Sequence, residues 1–193
     1  MSTSDEEWEE FVELVCLNHR PHAGYFTYEK NSDVEEHGVL QALDESLRHN
    51  GEHLWKSFSS RGTGNDPPDC EAEGLDGDRI AIEVTELVDS DSAAAARIGK
   101  PIPWEPWESP KLILELEKRI QRKDNPTEVH GGPYDQYFLL IYCDEPRVLD
   151  YNLIEAVRTY RFSKTKLITR IFFLLSYSPW EGYCPYLELK IIA

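Results

Sequence analysis

One short stretch, residues 66–85, restricts the fold of this chain more than any other part of the sequence. It begins with an acidic residue and two prolines, and it passes through an Asp-Gly-Asp turn signal at residues 76–78. Apolar side chains then alternate with others along Arg79–Thr85, and side chains two residues apart on a strand share a face. The pattern therefore predicts a β-hairpin whose second strand presents three aliphatic side chains to one side and Glu83 to the other.

The two acidic side chains of this hairpin, Asp69 and Glu83, need a physical reason to be there. An unpaired carboxylate in the middle of a buried strand is expensive. The hairpin would return Glu83 beside Asp69, and two carboxylates in one place repel each other unless a divalent cation lies between them. We therefore expect Asp69 and Glu83 to lie close enough to share one cation. The alternative is an ordinary hairpin with an acidic loop and a single strand glutamate.

The order of these residues is also that of a known family motif. Pro68-Asp69, followed after a hairpin by Glu83-Val84-Thr85, resembles the motif of the PD-(D/E)xK nuclease superfamily. With the surrounding elements included, the resemblance extends over about residues 33–176. It implies a restriction-endonuclease-like α/β sandwich, in which helices flank a mixed central sheet. It also implies hydrolysis of nucleic-acid phosphodiester bonds.

The resemblance further implies a metal site. Asp69 and Glu83 would bind Mg²⁺ or Mn²⁺, and the backbone carbonyl of Val84 would be a third ligand. The motif places a lysine two residues after the glutamate, where it helps to activate the attacking water. This chain has Thr85 at that position. A threonine hydroxyl carries no positive charge, so another residue would have to supply it.

Lys123 is the candidate replacement for the motif lysine. Ser109 as the N-cap and Pro110 in the first turn predict a helix that runs to this lysine. At 100° per residue, Lys123 lies within about 35° of the centre of the apolar stripe of that helix. Its side chain would then be directed toward the sheet, where it could orient the attacking water. The alternative is a last-turn lysine that stabilises the helix end and extends into water.

Glu36 is a further candidate on an earlier predicted helix, residues 33–48. It precedes the aliphatic residues Val39 and Leu40 by three and four positions, which places it on or beside the apolar stripe. The resemblance implies that a glutamate at this place in the order supports the metal site. The alternative is a glutamate that faces solvent near the helix N-terminus.

Net charge limits where a nucleic acid could bind. The chain has a formal net charge of −16, which is unfavourable for approach to phosphate groups. Residues 1–110 carry 25 of the 36 acidic side chains and only 8 of the 20 lysines and arginines. We therefore expect nucleic-acid contacts in the second half, and the alternative for its densest basic stretch is a solvated helix end and turn. The expected contacts are Arg158, Arg161, Lys164 and Lys166, with Arg170 at the end of the stretch.

The whole chain, residues 1–193, is expected to form a single domain with its core at about 33–176. An acidic helix at residues 5–17 and a short strand at 25–30 are predicted before that core. Residues 50–66 are expected to be mostly loop, and a long connection, a Pro/Trp-rich insertion, is expected at 90–108. The prolines exclude regular structure across residues 101–107 of that insertion. Later strands are predicted at 137–142, 169–176 and 186–192, with a helix capped by Asp150 between the first two.

The sequence lacks several motifs that would indicate a membrane protein, a metal-binding cysteine site or another class of enzyme. An 18-residue apolar run and a basic, apolar leader are both missing, so a cytoplasmic protein that does not span a membrane is expected. The four cysteines form no CxxC pair, and the sequence contains no GxSxG, P-loop or HExxH motif. Two alternatives to a nuclease remain. One is a nuclease fold without catalysis, and the other is an acidic immunity-type protein that binds a basic protein partner.

Overall fold

The computed structural model describes residue 26 and residues 32–62, 64–100, 107–125, 129–145, 148 and 150–192. Helices and strands are interspersed along these residues. The helices are α1 (Ser32–His49), α2 (Ser90–Arg97), α3 (Ser109–Lys123) and α4 (Tyr151–Thr159). The strands are β1 (Trp55–Ser60), β2 (Cys70–Gly74), β3 (Arg79–Glu86), β4 (Gln136–Cys143), β5 (Arg161–Phe162), β6 (Arg170–Leu175), β7 (Tyr186–Glu188) and β8 (Lys190–Ile191).

Six of the strands form one mixed sheet in the order β1-β2-β3-β4-β6-β7. The strands β1, β2 and β3 pair antiparallel, whereas β3, β4 and β6 run parallel and β7 closes the far edge antiparallel. The short strands β5 and β8 form a separate parallel pair. The predicted α/β class with a mixed central sheet is therefore confirmed.

The hairpin of β2 and β3 sets the geometry of the candidate site. Its turn includes Gly77 at a φ of 85°, a conformation that glycine adopts without the steric cost other residues meet. Cys70 pairs with Ile82, and Glu71 pairs with Ala81. Continuing this register by one residue places Asp69 opposite Glu83, so the two side chains belong to the same face of the sheet.

Helices cover both faces of the sheet, which explains the apolar character of β4 on its two sides. One core lies between the sheet and α1, and the other lies between the sheet and the pair α3 and α4. The α1 core contains Ile80, Ile82 and Val84 of β3 with Val39, Leu40, Leu43 and Leu47 of α1. The α3 core contains Ala81 of β3 with Leu112, Leu116 and Ile120 of α3.

Two elements lie where the sequence predicted irregular chain. The strand β1 occupies part of residues 50–66, because pairing with β2 orders a serine-rich segment with little strand pattern of its own. The helix α2 occupies part of residues 90–108, where the alanine run has high helix propensity. The Asp89 carboxylate accepts a hydrogen bond of 2.9 Å from the Ser92 N–H, as an N-cap does. That capping residue was the signal that the sequence analysis missed.

Smaller differences concern the ends of elements. The predicted final strand at 186–192 divides into β7 and β8, which join different sheets. Glu108, not Ser109, is the N-cap of α3. The predicted cap of α4 is confirmed, because Asp150 accepts hydrogen bonds from the N–H groups of Asn152 and Leu153.

Some predictions concern residues outside the described part of the chain. The helix at 5–17 and nearly all of the strand at 25–30 lie outside the described residues, as do positions 101–106 of the insertion. Within the described residues, no helix is both long enough and apolar enough to cross a membrane.

Candidate active site

Asp69 and Glu83 lie together on the sheet face that α3 covers, and both are buried, at 7% and 5% exposure. The Oδ2 atom of Asp69 accepts a hydrogen bond of 2.7 Å from the backbone N–H of Val84. Burial, followed by the charge of Glu83, raises the pKa of Asp69 to about 7, although the Val84 N–H and Lys123 act in the opposite direction. The two carboxyl groups therefore interact strongly, as the hairpin register requires.

The loop before Asp69 is held against the loop before β4. The Arg61 N–H donates to the Asp69 carbonyl at 2.9 Å, and the His130 N–H donates to the Pro67 carbonyl at 2.8 Å. The Arg61 guanidinium donates to the His130 carbonyl at 2.6 Å. A Cβ atom at Gly131 would lie 2.2 Å from that guanidinium, so glycine permits the close approach. These contacts fix the backbone that carries Asp69.

Lys123 reaches the same site from the last turn of α3. Its Nζ atom donates to Oε1 of Glu83, and its side chain is 22% exposed. The inward direction predicted from the helix stripe is therefore observed. Thr85, at the position of the motif lysine, is half-buried one strand repeat beyond Glu83. The positive charge beside the acidic pair thus comes from a helix instead of from the strand.

Tyr137 is a site residue that the sequence analysis missed. It lies on β4 in register with Ala81, and its phenol donates to Oε2 of Glu83 at 3.2 Å. The sequence predicts a strand at residues 137–142, but the apolar neighbours of Tyr137 give no sign of a polar role for its phenol. The signal that could have found Tyr137 is the pairing of β4 with β3. Every second side chain of β4, including that of Tyr137, lies on the same face of the sheet as Glu83.

Glu36 lies in the N-terminal half of α1 and is half-buried. Burial and the charges of Asp69, Asp66, Asp33 and Glu83, in that order, raise the pKa of Glu36 to about 8. The carboxyl groups of α1 and of the hairpin are therefore near enough to interact electrostatically, and Glu36, Asp69 and Glu83 are called the acidic cluster below. Glu36 is thus partly covered, and its role in supporting a metal site stays a prediction.

The acidic cluster is compatible with a hard divalent cation. Carboxylate oxygens are the donors that Mg²⁺ prefers, and Mg²⁺ is usually held by one or two carboxylates while keeping several waters. In the part of the chain that the structure describes, no three Asp, Glu, His or Cys side chains are grouped so that they could hold a metal ion. Asp69 and Glu83 would therefore bind as a pair, with the Val84 carbonyl and water completing the ligands. A cation there would offset the repulsion from Glu83, which adds to the effect of burial on the pKa of Asp69.

The predicted nucleic-acid contacts are brought only partly to the site. Lys164 and Lys166 are exposed, and their loop is attached to the end of α3 beside Lys123. The backbone N–H groups of residues 166, 167 and 168 donate to the Asp124 carboxylate at 2.7, 2.9 and 3.0 Å. The loop that carries these two lysines is therefore attached to Asp124, the residue that follows Lys123.

The arginines of the same stretch have other environments. Arg170 donates two hydrogen bonds of 2.7 Å to Glu188 and lies over the ring of Phe172 at 4.9 Å, so its contacts stabilise the sheet. Arg158 pairs with Glu155 at 3.4 Å on the exposed side of α4. Arg161 is exposed on the small strand β5. Arg158 and Arg161 remain predicted contacts without a structural link to the acidic cluster.

Comparison of the chain with protein-family models, with curated proteins and with solved structures gives no significant match. The resemblance to the nuclease superfamily therefore depends on the residues and on their arrangement in space.

Proposed function

We propose that this chain is a metal-dependent nuclease with a restriction-endonuclease-like core. The observation that carries the proposal is the meeting of Asp69, Glu83 and Lys123 from three separate elements. A buried pair of carboxyl groups with one lysine is the charge arrangement that the motif requires. The arrangement is present here although the lysine is absent from its usual strand position.

The order of elements supports the same proposal. A helix precedes three antiparallel strands, a helix follows them, and the next strand pairs parallel with the third. That order is the one expected for the PD-(D/E)xK core, with α1 and α3 on opposite faces of the sheet. The insertion between β3 and α3 contains α2 and leaves this order unchanged.

The residues of the site have distinct roles in the proposed reaction. Asp69, Glu83 and the Val84 carbonyl would hold Mg²⁺ or Mn²⁺. The bound ion would lower the pKa of a water molecule and stabilise charge on the phosphate. Lys123 donates a hydrogen bond to Oε1 of Glu83, and from that position it would orient the attacking water and offset negative charge that develops on the phosphate. Glu36 supports the metal site through the shared acidic cluster.

The approach of the substrate follows from the distribution of charge. The acidic cluster repels phosphate groups, whereas Lys164 and Lys166 lie exposed on the loop attached to α3. A nucleic-acid strand held by these lysines would place its backbone next to Lys123. The proposed substrate is therefore a phosphodiester strand bound along the α3 side of the site.

A cleavage assay tests this proposal. The wild-type protein would be incubated with Mg²⁺ or Mn²⁺ and with single- and double-stranded DNA and RNA. Glu83→Gln should abolish cleavage, because it removes a ligand charge while keeping the size of the side chain. Glu73→Gln is the matched control, since Glu73 lies exposed on β2 and pairs with Lys56 at 2.9 Å. Equal activity of Glu83→Gln and the wild type would refute the proposed site.

A second candidate function is binding of a basic protein partner, as an immunity-type protein would do. The observation that favours it is the net charge of −16, most of which lies in residues 1–110. Such a partner would associate more weakly as salt increases, because screening reduces attraction between exposed charges. Two results together would favour this function over catalysis. The wild-type protein would cleave none of the substrates, and it would bind a basic nuclease with an affinity that falls as salt increases.

A further inference from the structure

Tyr137 occupies a position in the site that the family motif does not include. It lies on β4, is 3% exposed, and is part of the core under α3. Its phenol donates to Oε2 of Glu83 at 3.2 Å. Burial, together with the charge of Glu83, raises the pKa of Tyr137 above its ordinary value. The phenol is therefore a neutral donor at physiological pH.

The two oxygens of Glu83 have donors from different elements. Lys123 on α3 donates to Oε1, and Tyr137 on β4 donates to Oε2. The backbone of Tyr137 is fixed in turn, because Thr169 donates to its carbonyl through the backbone N–H at 2.8 Å and through Oγ1 at 3.1 Å. The plane of the Glu83 carboxylate is thus set by two side chains on neighbouring rigid elements.

The two donors differ in their effect on a cation. Lys123 carries a positive charge and repels a metal ion that binds to the same carboxylate. The phenol of Tyr137 carries no charge, so it fixes the carboxylate without that repulsion. A glutamate that is already held in one rotamer also loses less conformational entropy when the metal ion binds.

We infer that Tyr137 is a positioning residue that holds Glu83 in the orientation needed to bind a divalent cation together with Asp69. This inference rests on the proposed metal site and adds a residue to it. Hydrogen-bond partners of metal ligands typically contribute about 10- to 100-fold to metal affinity. Tyr137→Phe keeps the ring in the core and removes only the donor, so the variant isolates this effect.

The test is a calorimetric titration of Mn²⁺ into wild-type protein and into Tyr137→Phe, with the melting temperature of each recorded. We expect Mn²⁺ to bind Tyr137→Phe about 10- to 100-fold more weakly. The matched control is Tyr186→Phe, because Tyr186 donates to Glu52 at 2.9 Å on the far edge strand β7. Its Mn²⁺ affinity should equal that of the wild type. If the hydrogen bond to Glu83 serves only the stability of the fold, Tyr137→Phe would lower the melting temperature and leave Mn²⁺ affinity unaltered.

The outcomes separate this inference from the proposed function. Mn²⁺ binding that Glu83→Gln abolishes but Tyr137→Phe leaves unchanged would overturn the role of Tyr137 and keep the metal site. Failure of the wild type to bind Mn²⁺ would overturn both. Weaker binding by Tyr137→Phe, with the control unaffected, would support both.

Discussion

Lys123 illustrates how one residue combines a structural and a proposed catalytic role. It lies in the last turn of α3 and donates to a carboxylate that is almost fully buried. An exposed lysine at a helix end would contribute little to the free energy of unfolding. The ion pair changes that expectation, since removing one partner leaves the other charge buried and uncompensated.

We expect Lys123→Ala to abolish metal-dependent cleavage and to lower the free energy of unfolding by about 1–3 kcal/mol. Urea unfolding and the cleavage assay would measure the two effects separately. Lys118→Ala is the control, because Lys118 lies exposed on the same helix and pairs with Glu115. Adding Glu83→Gln to Lys123→Ala should recover part of the lost stability. Full cleavage by Lys123→Ala would exclude this lysine from the mechanism.

At the scale of elements, the hairpin and α3 could be predicted because their signals are local. The Asp-Gly turn, the alternation of β3 and the stripe of α3 are each visible within about 15 residues. The strand β1 could not be predicted in this way, because its serine-rich sequence becomes a strand only through pairing with β2. Tyr137 was missed for a similar reason, since its role depends on which strand lies beside β3. Glu36 was predicted with an open alternative, and its environment depends on how α1 packs.

The approach of α1 to the hairpin leads to a prediction about pH. The pKa of Asp69 rises to about 7 and that of Glu36 to about 8, both above their values in the unfolded chain. The folded protein therefore binds more protons than the unfolded protein between about pH 4 and pH 8. The contribution of these two groups to stability is greatest below about pH 4 and declines as pH rises through the folded pKa values.

The free energy of unfolding should therefore fall less steeply between pH 5.5 and pH 8.5 in Glu36→Gln than in the wild type. Urea denaturation at several pH values would measure these slopes. Glu45→Gln changes an exposed glutamate on the same helix and should keep the wild-type slope. Mg²⁺ affinity should change in the direction opposite to stability. It should increase from pH 6 to pH 8, because the carboxyl groups lose their protons over this range. A Glu36→Gln slope equal to that of the wild type would show that Glu36 does not share the cluster.

At the scale of the whole molecule, negative charge predominates, although the proposed substrate is itself negatively charged. The acidic groups belong to α1 and the hairpin, whereas the exposed lysines of the 163–168 loop belong to the other half of the chain. The bonds from this loop to Asp124 attach those lysines to the end of α3. Binding of a nucleic acid would therefore depend on a small number of positively charged side chains.

Charge reversal of Lys164 and Lys166 to glutamate should weaken binding of a catalytically inactive Glu83→Gln protein to nucleic acid. The slope of log K against log salt should decrease in magnitude by about 2, because two phosphate contacts are lost. Fluorescence anisotropy over a range of salt concentrations would measure it. Reversal of Lys56 and Lys100, which are exposed elsewhere, is the control of equal charge. Unchanged binding in the Lys164 and Lys166 variant would place the interface on another surface.

The ion pair between Lys123 and Glu83 also has an evolutionary consequence. The two residues are 40 positions apart in the chain. The lysine lies at the end of α3, whereas the glutamate lies in the hairpin. If Lys123 supplies the positive charge of the proposed site, selection for that charge would act on position 123 and not on position 85. A homologue that conserves this arrangement would share three separated residues and no continuous signature. An insertion of one residue within α3 would rotate the lysine by about 100° and separate it from Glu83, although every strand would keep its sequence.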